Sequence, residues 1–269
     1  MTEYQRARSV EKSATPGGDG IPVLVDLRAG AIHDVALNNI SNMFGVTIFE
    51  LPDTKNPTAI EAHINYENGV LRLTADESID SNASYAFFNR TKFFFRDVTG
   101  SDGFDLSGTI IVGNQRPEIY FFLTELQRVE GIKISGTSGG DFGAAILDVQ
   151  SASFNDLSGN PSLESLNITL SESADRKAPE ILTTYIDFNN GTMVFTASET
   201  LRVAAAYNSF SLINTSKIVF KNVTNGDEVL SLDPSTRVIY AEADTITIEL
   251  EESDRASLIP FSSGPGGVY

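Results

Sequence analysis

One stretch of this 269-residue chain occurs twice. Ile64 to Glu77 reads INYENGVLRLTADE, and Ile186 to Glu199 reads IDFNNGTMVFTASE. Asn68-Gly69 matches Asn190-Gly191, Thr74-Ala75 matches Thr196-Ala197, and Glu77 matches Glu199, each 122 residues on (190 − 68). Each copy is an alternating strand, an Asn-Gly turn whose residues tolerate positive φ, and a second alternating strand, which is a β-hairpin. A period this long is one small β domain, so the chain is a piece of a tandem array.

The same offset runs back to the start of the chain. Thr2-Glu3-Tyr4-Gln5-Arg6 recurs as Thr124-Glu125-Leu126-Gln127-Arg128, and Pro16-Gly17-Gly18-Asp19 as Ser138-Gly139-Gly140-Asp141. Asp26, Asp34, Asn38 and Asp53 map onto Asp148, Asp156, Asn160 and Asp175. Residues 1–53 therefore read as the closing part of one repeat, 54–175 as a complete repeat, and 176–269 as the opening part of another. In the first part, TEYQRARSV reads as a short helical or irregular crossing. Strands are expected at Val23–Leu27 and near Ile32–Val35.

Within 54–175, Pro57 (matching Pro179) opens a strand, a position where a missing N–H costs no ladder bond. Strands are expected at Ala59–Tyr66, Val70–Ala75, Lys92–Val98, Gly108–Val112, Glu118–Thr124, Ala145–Val149 and Ala152–Phe154. Turn residues such as Gly100-Ser101-Asp102-Gly103 separate them. About seven short strands at this spacing is the pattern of an immunoglobulin-like sandwich. TKFFFR at 91–96 is apolar on both faces, which places it centrally beneath the opposing sheet. KIVFKNV at 217–223 repeats it at an offset of 125. Thr245–Leu250 is a further alternating strand. The fold class is all-β: tandem immunoglobulin-like β-sandwiches, one complete and two partial.

Some residues carry a family resemblance. Val194-Phe195-Thr196-Ala197-Ser198-Glu199 resembles the "TFSE" strand of bacterial-type Ig-like domains of S-layer and other surface proteins. Phe154-Asn155-Asp156-Leu157-Ser158-Gly159-Asn160-Pro161 resembles their closing strand and turn. Together with TELQR and SGTSGGD, these motifs are similar to long tandem repeats in large surface proteins of marine algae. The resemblance implies an extracellular stalk or adhesin-like role and carries over no catalytic residue. In the earlier copy of the closing turn, Leu37 stands where Gly159 stands later.

Composition removes several function classes. The chain has 36 acidic and 19 basic residues, a formal net charge of −17, which repels nucleic acid and anionic membrane and can attract divalent cations. Cysteine is absent, so no Cys–His pair, disulfide or thiolate metal site can form. No apolar run is long enough to span a membrane. The two histidines are exchanged between copies, His33 for Asn155 and His63 for Tyr185. That reads as structure rather than catalysis. Asp76 and Glu77 are the one adjacent acid pair worth weighing for glycoside hydrolysis, and strand neighbours that point to opposite faces cannot flank one bond. Gly17-Gly18-Asp19-Gly20 precedes a strand and lacks Lys-Ser/Thr, so it is a turn rather than a phosphate cradle.

Calcium is the cofactor to consider. Its candidate ligands are Asp53, Glu77, Asp175 and Glu199, at the repeat boundaries and strand ends, with Asp19 and Asp141 in the Gly-rich loops. The alternative is that Asp53 and Asp175 are solvated linker residues and Asp34 and Asp156 turn formers. No EF-hand spacing is present. N-x-S/T sequons stand at Asn39, Asn82, Asn89, Asn167, Asn190, Asn214 and Asn222.

The sequence reading is a non-catalytic structural or adhesive stalk segment of a repetitive extracellular, cell-surface protein. The alternative is a carbohydrate- or protein-binding module using end loops, with Tyr85, Phe87 and Phe88 as its clustered aromatics. The partners expected are neighbouring repeats of the same chain or of another copy. Either the sequence is a fragment of a longer array, or residues 1–53 of one molecule complete the domain left open after Gly267 of the next, head to tail.

Overall fold

The computed structural model describes residues 1–81, 88–113, 116–201, 213–221, 226–234, 236–242 and 244–262. The chain divides into two compact units, Met1–Arg176 and Lys177–Tyr269.

The first unit opens with α1 (Glu3–Glu11), then β1 (Leu24–Leu27) and β2 (Met43–Thr47), which pair antiparallel with each other. A two-sheet sandwich follows. Its strands are β3 (Ala59–Asn65), β4 (Val70–Ala75), β5 (Phe93–Arg96), β6 (Gly103–Asp105), β7 (Ile110–Gly113) and β8 (Glu118–Phe122). Helix α2 (Glu125–Lys133) leads to β9 (Ile146–Val149), β10 (Ser165–Thr169) and β11 (Ser171–Ser173). One sheet has the order β11-β3-β4-β8-β7 and the other β10-β9-β5-β6. Among the described residues only β11 runs parallel to its neighbour, pairing Ser171 with His63, so the chain changes sheets at the buried Leu170 between β10 and β11.

Period-two alternation builds the core. Ala62, Ile64, Leu71, Leu73, Ile119 and Phe121 on one sheet face Phe93, Phe95, Leu147 and Val149 on the other, all buried. Phe93 lies 5.0 Å from Phe121 and 6.3 Å from Phe154, centroid to centroid.

The second unit holds β12 (Ile181–Asp187), β13 (Thr192–Ala197), β14 (Val219–Lys221), β15 (Glu228–Ser231), β16 (Arg237–Glu242), β17 (Thr245–Glu249) and α3 (Glu252–Leu258). The order β12-β13-β17-β16 repeats β3-β4-β8-β7, while β14 pairs with β15. Its smaller core gathers Leu232, Ile246, Ile248, Leu250 and Leu258.

Several details differ from the sequence expectation. The first strand of the hairpin ends at Asn65, one residue before the expected Tyr66, so the duplicated hairpin turns through four residues, with Asn65 opposite Val70 and Asp187 opposite Thr192. Only the glycines take positive φ (Gly69 +66°, Gly191 +70°). Asn68 and Asn190 instead accept, through Oδ1, the amides of Val70 and Thr192. Ala152–Phe154 forms turns, with Ala152 at φ +53°, and Ile32–Val35 contributes only an isolated bridge, His33 to Asn39. Both segments lie beside the Asx-type loops of Asp156 and Asp34, whose side chains take over the backbone bonding. Phe94 is half-exposed, so β5 is central in its sheet but covered on one face only. Leu37 does occupy the left-handed region (φ +67°) where Gly159 sits at +87°, a conformation that costs a branched side chain about 1–2 kcal/mol.

Candidate functional site

The recurring T-E-x-Q-R is a helix start with an arm. Thr2 and Gln5 form a reciprocal capping box on α1, as Thr124 and Gln127 do on α2. The acid one residue inside each helix then grips the arginine three residues later. Glu3 Oε2 accepts from Arg6 Nε at 2.7 Å, Glu125 from Arg128 at 2.7 Å, and Glu252 from Arg255 at 2.7 Å. In each case a second, parallel bond makes the pair bidentate. The S/T-x-x-Q spacing was the available sequence signal for α2, which the strand pattern passed over.

So fixed, each arginine reaches outward. Arg128 Nη1 donates to the Tyr66 carbonyl at the hairpin turn (3.1 Å) and to Asp175 Oδ2 (2.6 Å). Arg255 Nη1 donates to the equivalent Phe188 carbonyl at 2.7 Å. Arg6 donates to Asp53, the counterpart of Asp175, and through Nη2 to Glu77 Oε2 at 2.9 Å. Glu3 adds a second tie, its Oε1 accepting the Ser78 amide at 2.7 Å. A helix from residues 1–53 is thus bonded to the strand end of the sandwich that follows it.

Around Arg6 the acids converge. One carboxylate oxygen from each of Asp53, Glu77 and Asp156 lies within 4.8 Å of the others, and Glu77 and Asp156 are buried. Asn160 closes the group, donating its backbone N and Nδ2 to Asp156 (2.7 and 2.9 Å) and Nδ2 to the Asp53 carbonyl (3.1 Å). Lys55 pairs with Asp76 and lies 3.6 Å from Glu77 Oε1. The adjacent acids Asp76 and Glu77 therefore meet one cation. Strand β4 ends at Ala75, so the alternation that separates strand neighbours no longer governs them.

Burial pushes the Glu77 carboxyl up to about 7, against the pull of Arg6 and Lys55 and with Asp53 and Asp156 adding repulsion. Asp156 is raised too, chiefly by burial, despite its Asn160 bonds. Its counterpart Asp34 makes the same pair of bonds to Asn38 (2.8 and 2.9 Å) but is exposed, and those bonds hold it below the ordinary range. The same loop thus titrates in opposite directions in its two settings, and desolvation decides which.

A pH dependence follows. The folded state holds the Glu77 proton more tightly than the unfolded chain, so stability falls as pH rises from about 4.5 to about 7. Glu3 and Asp76 are lowered, and their contribution is lost instead as pH falls into the acid range. Glu77→Gln is expected to remove most of the falling limb. Relative to wild type it gains on the order of 2 kcal/mol in the first unit between pH 5 and pH 8. Thermal melts of both proteins across that range check this, and parallel curves would refute it.

Of the four calcium candidates, Asp53 and Glu77 meet, and the third acid beside them is Asp156, read from sequence as a possible turn former. Asp175 belongs to the first unit, where it pairs with Arg128, and Glu199 to the second. Three carboxylates suit a hard cation, but one would compete with Arg6, whose guanidinium already bridges Asp53 and Glu77. His33 is exposed, and His63 Nε2 lies 3.4 Å from Ser173 Oγ in the β3–β11 pair. Of the aromatic trio, Phe88 is buried 6.2 Å from Phe154, while Tyr85 and Phe87 lie outside the described residues. The sequons at Asn82 and Asn222 also lie outside them.

No family model and no curated protein sequence matches the chain. Among solved structures it aligns with a marsupial T cell receptor at 10% identity and a TM-score of 0.21, covering 83% of this chain and 62% of the receptor chain. The all-β sandwich assignment rests on the strand order above. No helix among the described residues is long and apolar enough to cross a membrane.

Proposed function

We propose that this chain is a non-catalytic stalk segment of a repetitive extracellular surface protein, in which the T-E-x-Q-R helix at its start is bolted to the sandwich that follows it. The observation that carries the reading is Arg6, which joins the helix of one repeat to the linker acid Asp53 and to Glu77 of the following sandwich. All four residues, Glu3, Arg6, Asp53 and Glu77, recur 122 positions later as Glu125, Arg128, Asp175 and Glu199. A linker acid held by an arginine that also grips its own helix and Glu77 of the sandwich resists bending, which is what a spacer requires. The bacterial-type Ig-like resemblance supports the same role.

Arg6→Ala tests the bolt. Amides of α1 and the Ser78 amide are expected to exchange at least tenfold faster with solvent, with those of Ile119–Phe121 unchanged. Unaltered protection at Ser78 would show that the joint does not depend on Arg6.

A further inference from the structure

Of the seven sequons, one pair stands at the same place in both repeats. Asn89-Arg90-Thr91-Lys92 and Asn214-Thr215-Ser216-Lys217 lie 125 residues apart (214 − 89), immediately before β5 and β14. For the others the second copy breaks the motif. Asn39 corresponds to Pro161, Asn167 to Gly45 and Asn222 to Asp97, while Asn82 meets Ala204 or Tyr207 at the two offsets. Asn190 corresponds to Asn68, which is followed by Val70 where the hydroxyl belongs.

The two turns are built alike. Each is a short 3-10 turn, Arg90–Lys92 and Thr215–Lys217, closed by the lysine amide donating to the asparagine carbonyl at 3.0 Å. The middle residue anchors it, Arg90 donating to the Thr109 carbonyl and Thr215 Oγ1 to the Asp233 carbonyl at 2.7 Å. That leaves the two flanking side chains to each other. Thr91 Oγ1 donates to Asn89 Oδ1 at 2.7 Å, and Ser216 Oγ to Asn214 Oδ1 at 2.6 Å. Both asparagines are exposed, and among the described residues neither Nδ2 donates a hydrogen bond.

Capping alone does not account for the pair. A helix-start asparagine serves by accepting a backbone amide, a task that aspartate or serine performs as well. Asn89 accepts the Thr91 amide at 3.3 Å, but Asn214 makes no such bond. What the copies share is an exposed carboxamide and a hydroxyl two residues on. The residue between changes from arginine to threonine, and the hydroxyl residue from threonine to serine. Those two groups at that spacing are what N-glycosylation requires of its acceptor.

We propose that Asn89 and Asn214 carry N-linked oligosaccharides, one at the same place in each of the two repeats. Nδ2 attacks the anomeric carbon of an oligosaccharide carried on a lipid pyrophosphate. The carbon–nitrogen bond forms as the bond from that carbon to the pyrophosphate oxygen breaks. The lipid pyrophosphate leaves with the electron pair, and Nδ2 gives up one proton to the transferase. The Asn89 amide donates to the Ser153 carbonyl at 2.9 Å, three residues from Asp156, so its glycan stands at the end of the sandwich that carries the Arg6 joint. Modification rests on the extracellular placement proposed above, because the transferase works in the secretory pathway.

Secretion of the full chain from eukaryotic cells, behind an added cleavable signal, brings it to the transferase whatever its native destination. Intact mass before and after peptide N-glycosidase counts the glycans, and conversion of asparagine to aspartate places them. Both Asn89 and Asn214 are expected to be converted in most molecules. Thr91→Ala is expected to lower occupancy at Asn89 at least tenfold, and Thr91→Ser to retain it. Asn89→Asp keeps the oxygen that accepts from Thr91, and with it the turn, so it is expected to remove one glycan from a chain secreted at unchanged yield. Either asparagine left unmodified in the secreted wild-type chain, or occupancy at Asn89 that survives Thr91→Ala, would overturn the proposal. Such a failure leaves the stalk reading standing, whereas the Arg6→Ala exchange experiment bears on the joint alone.

Discussion

Phe93→Ala is expected to cost the first unit about 3–5 kcal/mol and to lower its melting midpoint by more than about 10 °C. Phe93 is fully buried, and it joins the sheets by packing on Phe121 from one side and Phe154 from the other. Truncation removes the ring's transfer energy and leaves a cavity between layers that hydrogen-bonded strands cannot collapse to fill. Since small domains are stable by only about 5–15 kcal/mol, that is a large fraction of the total. Calorimetry should show the loss in the transition of the first unit. A loss under about 1 kcal/mol, or a shift confined to the second unit, would contradict the core described.

Arg128→Ala is expected to be the most damaging of the three helix-arginine substitutions, at about 3 kcal/mol. Its side chain is 8% exposed, against 31% for Arg6 and 27% for Arg255. It serves the Glu125 carboxylate, the Tyr66 carbonyl and Asp175 together. Removing it takes the donor from a buried carbonyl and the cation from beside two acids, a penalty well above that of a surface pair. Arg128→Lys should recover only part of the loss, because one ammonium cannot reproduce a planar fork aimed in three directions. Denaturant unfolding of the alanine variants ranks them, and an Arg6→Ala loss equal to that of Arg128→Ala would break the link between burial and cost.

The division between sequence and structure follows the range of the interactions. Alternation, the Asn-Gly turn and the 122-residue offset are local or purely comparative, so the paired hairpins and the all-β class could be read from residues alone. The capping boxes of α1 and α2 were also written locally, as T-x-x-Q; the first segment reads as a short helical or irregular crossing, while at α2 the surrounding strand pattern masked the signal.

What tertiary structure decided is the junction. Asp156 joins Asp53 across a separation of 103 positions (156 − 53), and no spacing rule brings them together. The Asp34 and Asp156 loops share the Asp and the Asn four residues on, with the same hydrogen bonds between them, yet their carboxyls are shifted in opposite directions, because only one is covered. Desolvation belongs to the packed molecule. The chain's letters therefore determined which acids exist and how often they recur, while folding alone determined which of them face one arginine in the dark.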